Sequence, residues 1–243
     1  MGALVAGVDC STQTTKVVVV DPDEGRILAV GAARHTVSGT GGARETDPRE
    51  WWAALRAALA QTGLGPEIAA LSVAGQQHSL VVLGADGEPV RPAMLWNDTR
   101  SAPEAAELVE ALGEGHWAET TGSRPTASFT VTKWAWLRHH EPAIAAATAA
   151  VRLPHDYLTE RLTGSGVTDR GDASGTGWWS SSSGGYAEDL LALPALDLDP
   201  PSTPTSTPPR SESTAGARRS ASKRSATSPS APGSAAAGWR TDA

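Results

Sequence analysis

The sequence predicts a mixed domain, α/β or α+β, whose sheet is largely buried beneath helices. Three observations carry that expectation. The apolar runs ALVAGVD (3–9), KVVVVD (16–21) and RILAVGAARH (26–35) follow one another with connections too short for a crossover. The period then lengthens to that of an amphipathic helix over DPREWWAALRAALAQTG. A fourth run, EIAALSVAG (67–75), is followed mainly by helical patterns, so the sheet has helices available to cover it.

The first three runs read as an antiparallel meander. DPDEG (21–25) supplies a turn, with Pro fixing φ and Gly admitting positive φ. In the first helix Asp47 stands as N-cap, Pro48 at the first helical position and Glu50 at the capping-box position. Trp51, Leu55, Ala58 and Leu59 make one apolar stripe, and Gly63 ends the helix. LVVLGADGEPV is expected to form a hairpin turning at Asp86-Gly87. Ser101 with Glu104 suggests a second capping box, opening a helix that runs to Leu112. FTVTKWAWLRHHEP (129–142) reads as a helix stopped by Pro142, with Trp134 and Leu137 in the core and Lys133 a solvated charge. PHDYLTERLTG (154–164) reads as a helix closed by Gly164, with Asp156 near its N-terminus, where negative charge is favoured.

Composition narrows the function. A formal charge of −7 over 243 residues argues against a general nucleic-acid or membrane binder. One cysteine, Cys10, excludes an internal disulfide and suits a reducing compartment, so a cytoplasmic location is expected. No apolar stretch has the length of a membrane span, and the first residues lack the basic start of a signal peptide. From Pro200 to Ala243 there is no Val, Ile, Leu, Met, Phe or Tyr, and six basic residues face two acidic ones. Such a segment cannot bury enough apolar surface to offset the entropy of ordering, so 1–199 is expected to fold and 200–243 to be a disordered tail.

GVDCSTQTTKVVVVD (7–21) places acid, hydroxyls, an amide and a lysine between two core strands. A tight turn there can offer backbone N–H groups and the side chains of Thr12, Gln13 and Thr14 to a phosphate, with Lys16 adding positive charge. Asp9, closing the first strand, can hold Mg²⁺ through oxygen. The alternative is a polar hairpin that satisfies its own turn. It is no Walker loop, since the glycine-rich run is missing. Gln77 and His78 follow the fourth strand, at the edge where such sheets bind ligands. Asp156, Asp169 and Asp172 lack a defined metal-ligand spacing, and His139, His140 and His155 make no metal pattern with Cys or Glu.

GVDCSTQTTKVVVVD resembles the phosphate-binding hairpin of the actin/hexokinase superfamily, and in particular that of the FGGY sugar kinases. VAGQQHSLVVLGADGEPVRPAMLWNDTR, FTVTKWAWLRHHEP, LPHDYLTERLTG and TDRGDASGTGWW continue the likeness in order, over residues 3–199. Ser11 and Thr14 stand where that hairpin often carries glycine. The resemblance implies a ribonuclease H-like α/β domain, with a mixed sheet flanked by helices. It implies ATP-dependent phosphorylation of a ketopentose, D-xylulose first, with Mg²⁺ at Asp9. Thr12, Gln13, Thr14 and Lys16 would line the ATP phosphates. Gln77, His78, Trp96, Asp98 and Arg100 would lie at the sugar, with Asp98 and Arg100 either orienting hydroxyls or pairing with each other.

Sugar and ATP are thus the implied partners, with no nucleic acid or membrane, and the intact family allows a homodimer. Other FGGY substrates (glycerol, gluconate, ribulose) and a non-catalytic sugar-binding fragment are the alternatives. The family's general-base aspartate, in a Gly-Asp-Asn-type motif, has no counterpart in this sequence. The chain alone is therefore expected to be inactive, and the change at Pro200–Pro201 to mark a tail read out of frame.

Overall fold

A computed structural model describes residues 2–193 and Leu196. The strands are β1 Leu4–Cys10, β2 Thr14–Asp21, β3 Arg26–Arg34, β4 Glu45–Thr46, β5 Ile68–Gly75, β6 Val81–Leu83, β7 Ala93–Met94, β8 Ala150–Arg152, β9 Trp179–Ser180 and β10 Gly185–Tyr186. The helices are α1 Pro48–Thr62, α2 Ala102–Leu112, α3 Glu114–Thr121, α4 Thr130–His140, α5 Pro142–Ala147, α6 Pro154–Thr163, α7 Arg170–Ser174 and α8 Glu188–Leu191. The expected tail, 200–243, lies outside the described residues.

The principal sheet has the order β3-β2-β1-β5. β1, β2 and β3 form the expected antiparallel meander, and β5 joins β1 in parallel. A parallel return needs a crossover, and α1 supplies it. Period-two alternation gives β1 and β2 a buried face, on which Leu4, Ala6, Val8, Cys10, Val17 and Val19 pack against Trp51, Leu55 and Ala58 of α1. Gly31 lets α1 come close: a Cβ there would stand 1.9 Å from the Ala58 carbonyl oxygen. The opposite face carries Gly7, Asp9 and Lys16, and on β3 Ile27 and Val30 remain 61% and 57% exposed. A second core gathers Trp117, Trp134, Leu137 and Trp178 around Leu80 and Met94. Buried side chains of tryptophan size typically cost about 3–5 kcal/mol on truncation to alanine.

The caps explain where helices start and stop. The Asp47 side chain accepts from the Arg49 N–H, Pro48 is the first helical residue, and Gly63 closes α1 at φ 67°. Glu50 does not complete a capping box; its carboxylate accepts from Thr36 N at 2.6 Å and ties β3's exit to the helix. Ser101 makes no cap either. Its hydroxyl donates to the Ala127 carbonyl, and Glu104 is buried beside His140. The turn at Asp86-Gly87 forms, with Gly87 N donating to Gly84 O at 2.9 Å and Gly87 at φ 76°. β6 nonetheless takes β8 as its ladder partner. Pro142 ends α4 and opens α5, and Gly164 closes α6 at φ 74°.

Candidate functional site

β1 and β5 run parallel, so their carboxyl ends lie side by side: Asp9 is level with Ala74 and Cys10 with Gly75. Ligands of open α/β sheets bind beyond such ends. The hairpin after β1 is closed by the backbone of Ser11, whose N–H donates to Thr14 O at 3.1 Å, and by its hydroxyl, which donates to the same oxygen at 2.9 Å. Serine in place of glycine therefore serves the turn itself. Gln76 N donates to Cys10 O at 3.1 Å and carries the β1–β5 pairing one step past the strands.

Asp9 and Lys16 face each other across β1 and β2, both exposed. Among the described residues the side chains of Asp9, Gln13 and Lys16 make no hydrogen bond or ion pair. Thr12 is half-buried, and its Oγ1 accepts from Trp96 Nε1 at 3.2 Å. That bond joins two segments 84 positions apart. Trp96 keeps 44% exposure and flanks the hairpin as an open wall. An unpaired exposed carboxylate beside hydroxyls and a lysine suits Mg²⁺, which keeps most of its ligands as water and phosphate oxygen. Directly behind the hairpin, burial pushes the Cys10 thiol up to about 11.

Gln77 and His78 leave the end of β5. His78 has φ 63°, the one non-glycine residue with positive φ among those described. Such a conformation costs on the order of 1–3 kcal/mol and persists only where its surroundings enforce it. Here the ring packs on Phe129, with centroids 4.7 Å apart, and Nδ1 lies 2.7 Å from Gly175 O. Gly75 admits α6 against the strand end, since a Cβ there would stand 2.9 Å from His155 N.

Asp98 and Arg100 are brought together by a different logic. Asp98 is fully buried and accepts from Arg44 N at 2.9 Å, from Arg100 N at 3.0 Å and from the Arg100 guanidinium at 2.7 Å. Arg100 also pairs with Glu45, which in turn pairs with Arg91, and its guanidinium stacks 4.4 Å over Trp136. Burial alone would raise the Asp98 carboxyl; the hydrogen bonds from Arg100 and Arg44 outweigh it and hold the group below its ordinary value. Of the two arrangements open in the sequence, these residues adopt the mutual pair.

Two features are not visible in sequence. Lys133 is not a solvated charge. It is fully buried, and its ammonium donates to the carbonyls of Ala127 and Ser128 at 2.5 and 2.6 Å. Burial pushes it down to about 7. At the start of α6 and in α7, His155 Nδ1 lies 3.1 Å from Asp156 Oδ1 and 3.3 Å from Asp172 Oδ2, so a ligand atom from each of three residues without a sequence pattern comes within 4.8 Å of the others. The hydrogen bond to Asp156 leads the forces that raise His155, while burial lifts Asp172 to about 6. Asp156 also caps α6 through Leu153 N at 3.3 Å, as its position near the helix start suggested.

A mixed sheet of this order, with a polar hairpin at the carboxyl end of its parallel pair, defines the ribonuclease H-like domain of actin/hexokinase-type proteins. The model of the FGGY family of carbohydrate kinases, N-terminal domain, matches residues 4–214, and the chain belongs to that family. It is 65% identical over 199 residues to the xylulose kinase of Streptomyces coelicolor, covering 81% of this chain and 41% of that one. The solved xylulose kinase of Bifidobacterium adolescentis superposes with a TM-score of 0.74 at 41% identity, over 80% of this chain and 43% of that one. The xylulose kinase of Rhodospirillum rubrum gives 0.79 at 30% identity, over 84% and 43%. The chain thus spans about two fifths of the length of these Streptomyces relatives. No helix among the described residues is long and apolar enough to cross a membrane.

Proposed function

We propose that residues 1–199 are the sugar-side domain of a kinase that moves the γ-phosphoryl group of ATP to a hydroxyl of a ketopentose, D-xylulose before other family substrates. The observation that carries this reading is the Trp96–Thr12 hydrogen bond. It supports the reading by holding Trp96, which we read as a wall of the sugar site, against the hairpin that we read as binding the phosphates.

Phosphoryl transfer is mostly positioning and charge neutralisation, which fixes what each residue has to do. Thr12 and Thr14 offer hydroxyls, Gln13 an amide and Lys16 a cation to the phosphates. Asp9 holds the metal, directly or through water; when bound, Mg²⁺ neutralises charge on the transferring group. Gln77 and His78 bind the sugar hydroxyls, with Trp96 as a wall. Asp98 and Arg100 act one layer back. Their closed ion pair anchors the chain on which Trp96 sits, two residues away from Asp98. A general base for the attacking hydroxyl is not supplied by a Gly-Asp-Asn motif in this sequence, so the reading is of binding without turnover for these 243 residues.

Calorimetry on the purified chain tests this. D-xylulose and Mg-ATP are each expected to bind, and D-xylulose to bind more tightly than glycerol, gluconate or ribulose. Absence of any sugar heat, or a preference for another of these substrates, removes the ketopentose assignment. Robust ATP-dependent phosphorylation of D-xylulose by the chain alone removes the expectation of inactivity.

A further inference from the structure

We infer that Gly175 is a positioning residue that fixes the hydrogen-bond polarity of His78: the ring's outward nitrogen, Nε2, is an acceptor, and the ligand group it meets must be a donor. The inference rests on the sugar reading of His78 for the nature of that ligand, but not for the polarity itself.

One contact sets the polarity of the ring. His78 Nδ1 lies 2.7 Å from the Gly175 carbonyl oxygen. A peptide carbonyl has lone pairs and no proton to give, so the proton in this bond belongs to the imidazole. In the neutral ring that leaves Nε2 bare, because the hydrogen bond of one nitrogen sets the state of the other. The ring is held by packing. Phe129 packs on it with the two planes 30° apart, and the backbone enters at φ 63°. Gly175 itself lies at φ −79° in its role as C-cap of α7, a conformation open to any residue, so backbone strain does not require glycine here. Space does: a Cβ at 175 would stand 2.8 Å from His78 Nδ1 and 2.9 Å from Cε1. Glycine is what allows the carbonyl to approach the ring.

An acceptor at the end of β5 matches a polyol, whose hydroxyls donate. It repels an acceptor-only group such as a carboxylate or phosphate oxygen. The ring would therefore read a hydroxyl of the sugar and discriminate against acids of similar size.

The test reads the ring directly. In the 243-residue chain labelled with ¹⁵N-histidine, long-range ¹H–¹⁵N correlation resolves the tautomer of each of the six histidines, and His78→Gln assigns the signal. At pH 7.5 His78 is expected as the Nδ1–H tautomer without ligand. Gly175→Ala is expected to give mixed tautomers at His78 while the other five histidines keep their signals, and to weaken D-xylulose about tenfold. An Nε2–H tautomer or an imidazolium in the unmodified chain overturns the inference, and that measurement needs no variant to fold. An unchanged tautomer in a folded Gly175→Ala chain overturns the role of Gly175. An Nδ1–H tautomer whose Nε2 signal ignores saturating D-xylulose supports the polarity and removes the sugar reading instead, so the two failures are told apart.

Discussion

Two polar clusters flank the end of β1, and they use charge in opposite ways. Around Asp98 the charges are paired: Glu45, Arg91, Asp98 and Arg100 are partly or wholly buried and pair with one another, and Arg91 also with Glu141. At the hairpin Asp9, Gln13 and Lys16 stand exposed and unpaired, though Asp9 and Lys16 are cross-strand neighbours. Opposite charges that stand side by side without pairing, next to a set that is paired, separate the two jobs. The first cluster holds a loop in place, and the second is kept free for a ligand.

The largest test of that contrast breaks the closed cluster. Asp98→Ala takes one of two carboxylate partners from the partly buried Arg100 guanidinium, which keeps Glu45, and leaves the Arg44 N–H without its acceptor; removing one member of a buried pair costs up to about 3–5 kcal/mol. Urea denaturation is expected to show the midpoint falling by that measure; a loss below 1 kcal/mol would make the cluster ornamental. The same carboxylate makes stability depend on acid. Its folded pKa lies below the unfolded value of about 3.9, so its contribution is complete above that value and is lost as pH falls through the folded pKa.

The next effect belongs to Lys133, a third arrangement in which one charge is buried with two carbonyls as its hydrogen-bond partners, and burial outweighs the pull of Asp98. Its folded pKa of about 7 lies below the unfolded value of about 10.4, so between those limits the unfolded chain binds the extra proton and stability rises with pH. The expected slope approaches about 1.4 kcal/mol per pH unit, and Lys133→Met flattens it. A slope that survives the substitution assigns it to another group.

Asp9→Asn is a smaller change with a different signature. Folding stability should move by no more than about 0.5 kcal/mol, as for exposed sites without partners, while Mg-ATP affinity falls about tenfold. Equal losses in stability and affinity would mean that Asp9 belongs with Asp98 after all. Smallest of all, Trp96→Phe keeps the ring and removes the donor to Thr12. About 0.5 kcal/mol of stability is at stake, with a severalfold loss of sugar affinity by calorimetry. No change in affinity would show that the wall works without its anchor.

How much of this could be read beforehand follows from the range of the interactions. The meander, the Asp47 cap and the Gly63 and Gly164 stops are local, and the residues that make them are adjacent in sequence. The hairpin was legible for the same reason. The fate of Arg100 was not, because its partner Glu45 lies 55 positions away, and nothing in the Trp-x-Asp-x-Arg spacing announces it. Glu50 sat at the right place for a capping box and was taken by Thr36, a competitor that exists only once β3 is formed. Lys133 misled because a helical period assumes a wet face, whereas α4 is buried at every position from Thr130 to Ala135. The grip of Gly175 on His78 spans 97 positions and rests on an absent side chain.

The lone thiol offers one more consequence. Cys10 is wholly enclosed, its Sγ accepting from Thr15 Oγ1 at 3.5 Å, and its raised pKa leaves almost no thiolate at neutral pH. An alkylating reagent can reach it only when the central strand lets go of its neighbours. The pace of labelling is thus a clock for local opening beneath the hairpin. Because the sequence carries a single cysteine, that clock runs without any engineered probe.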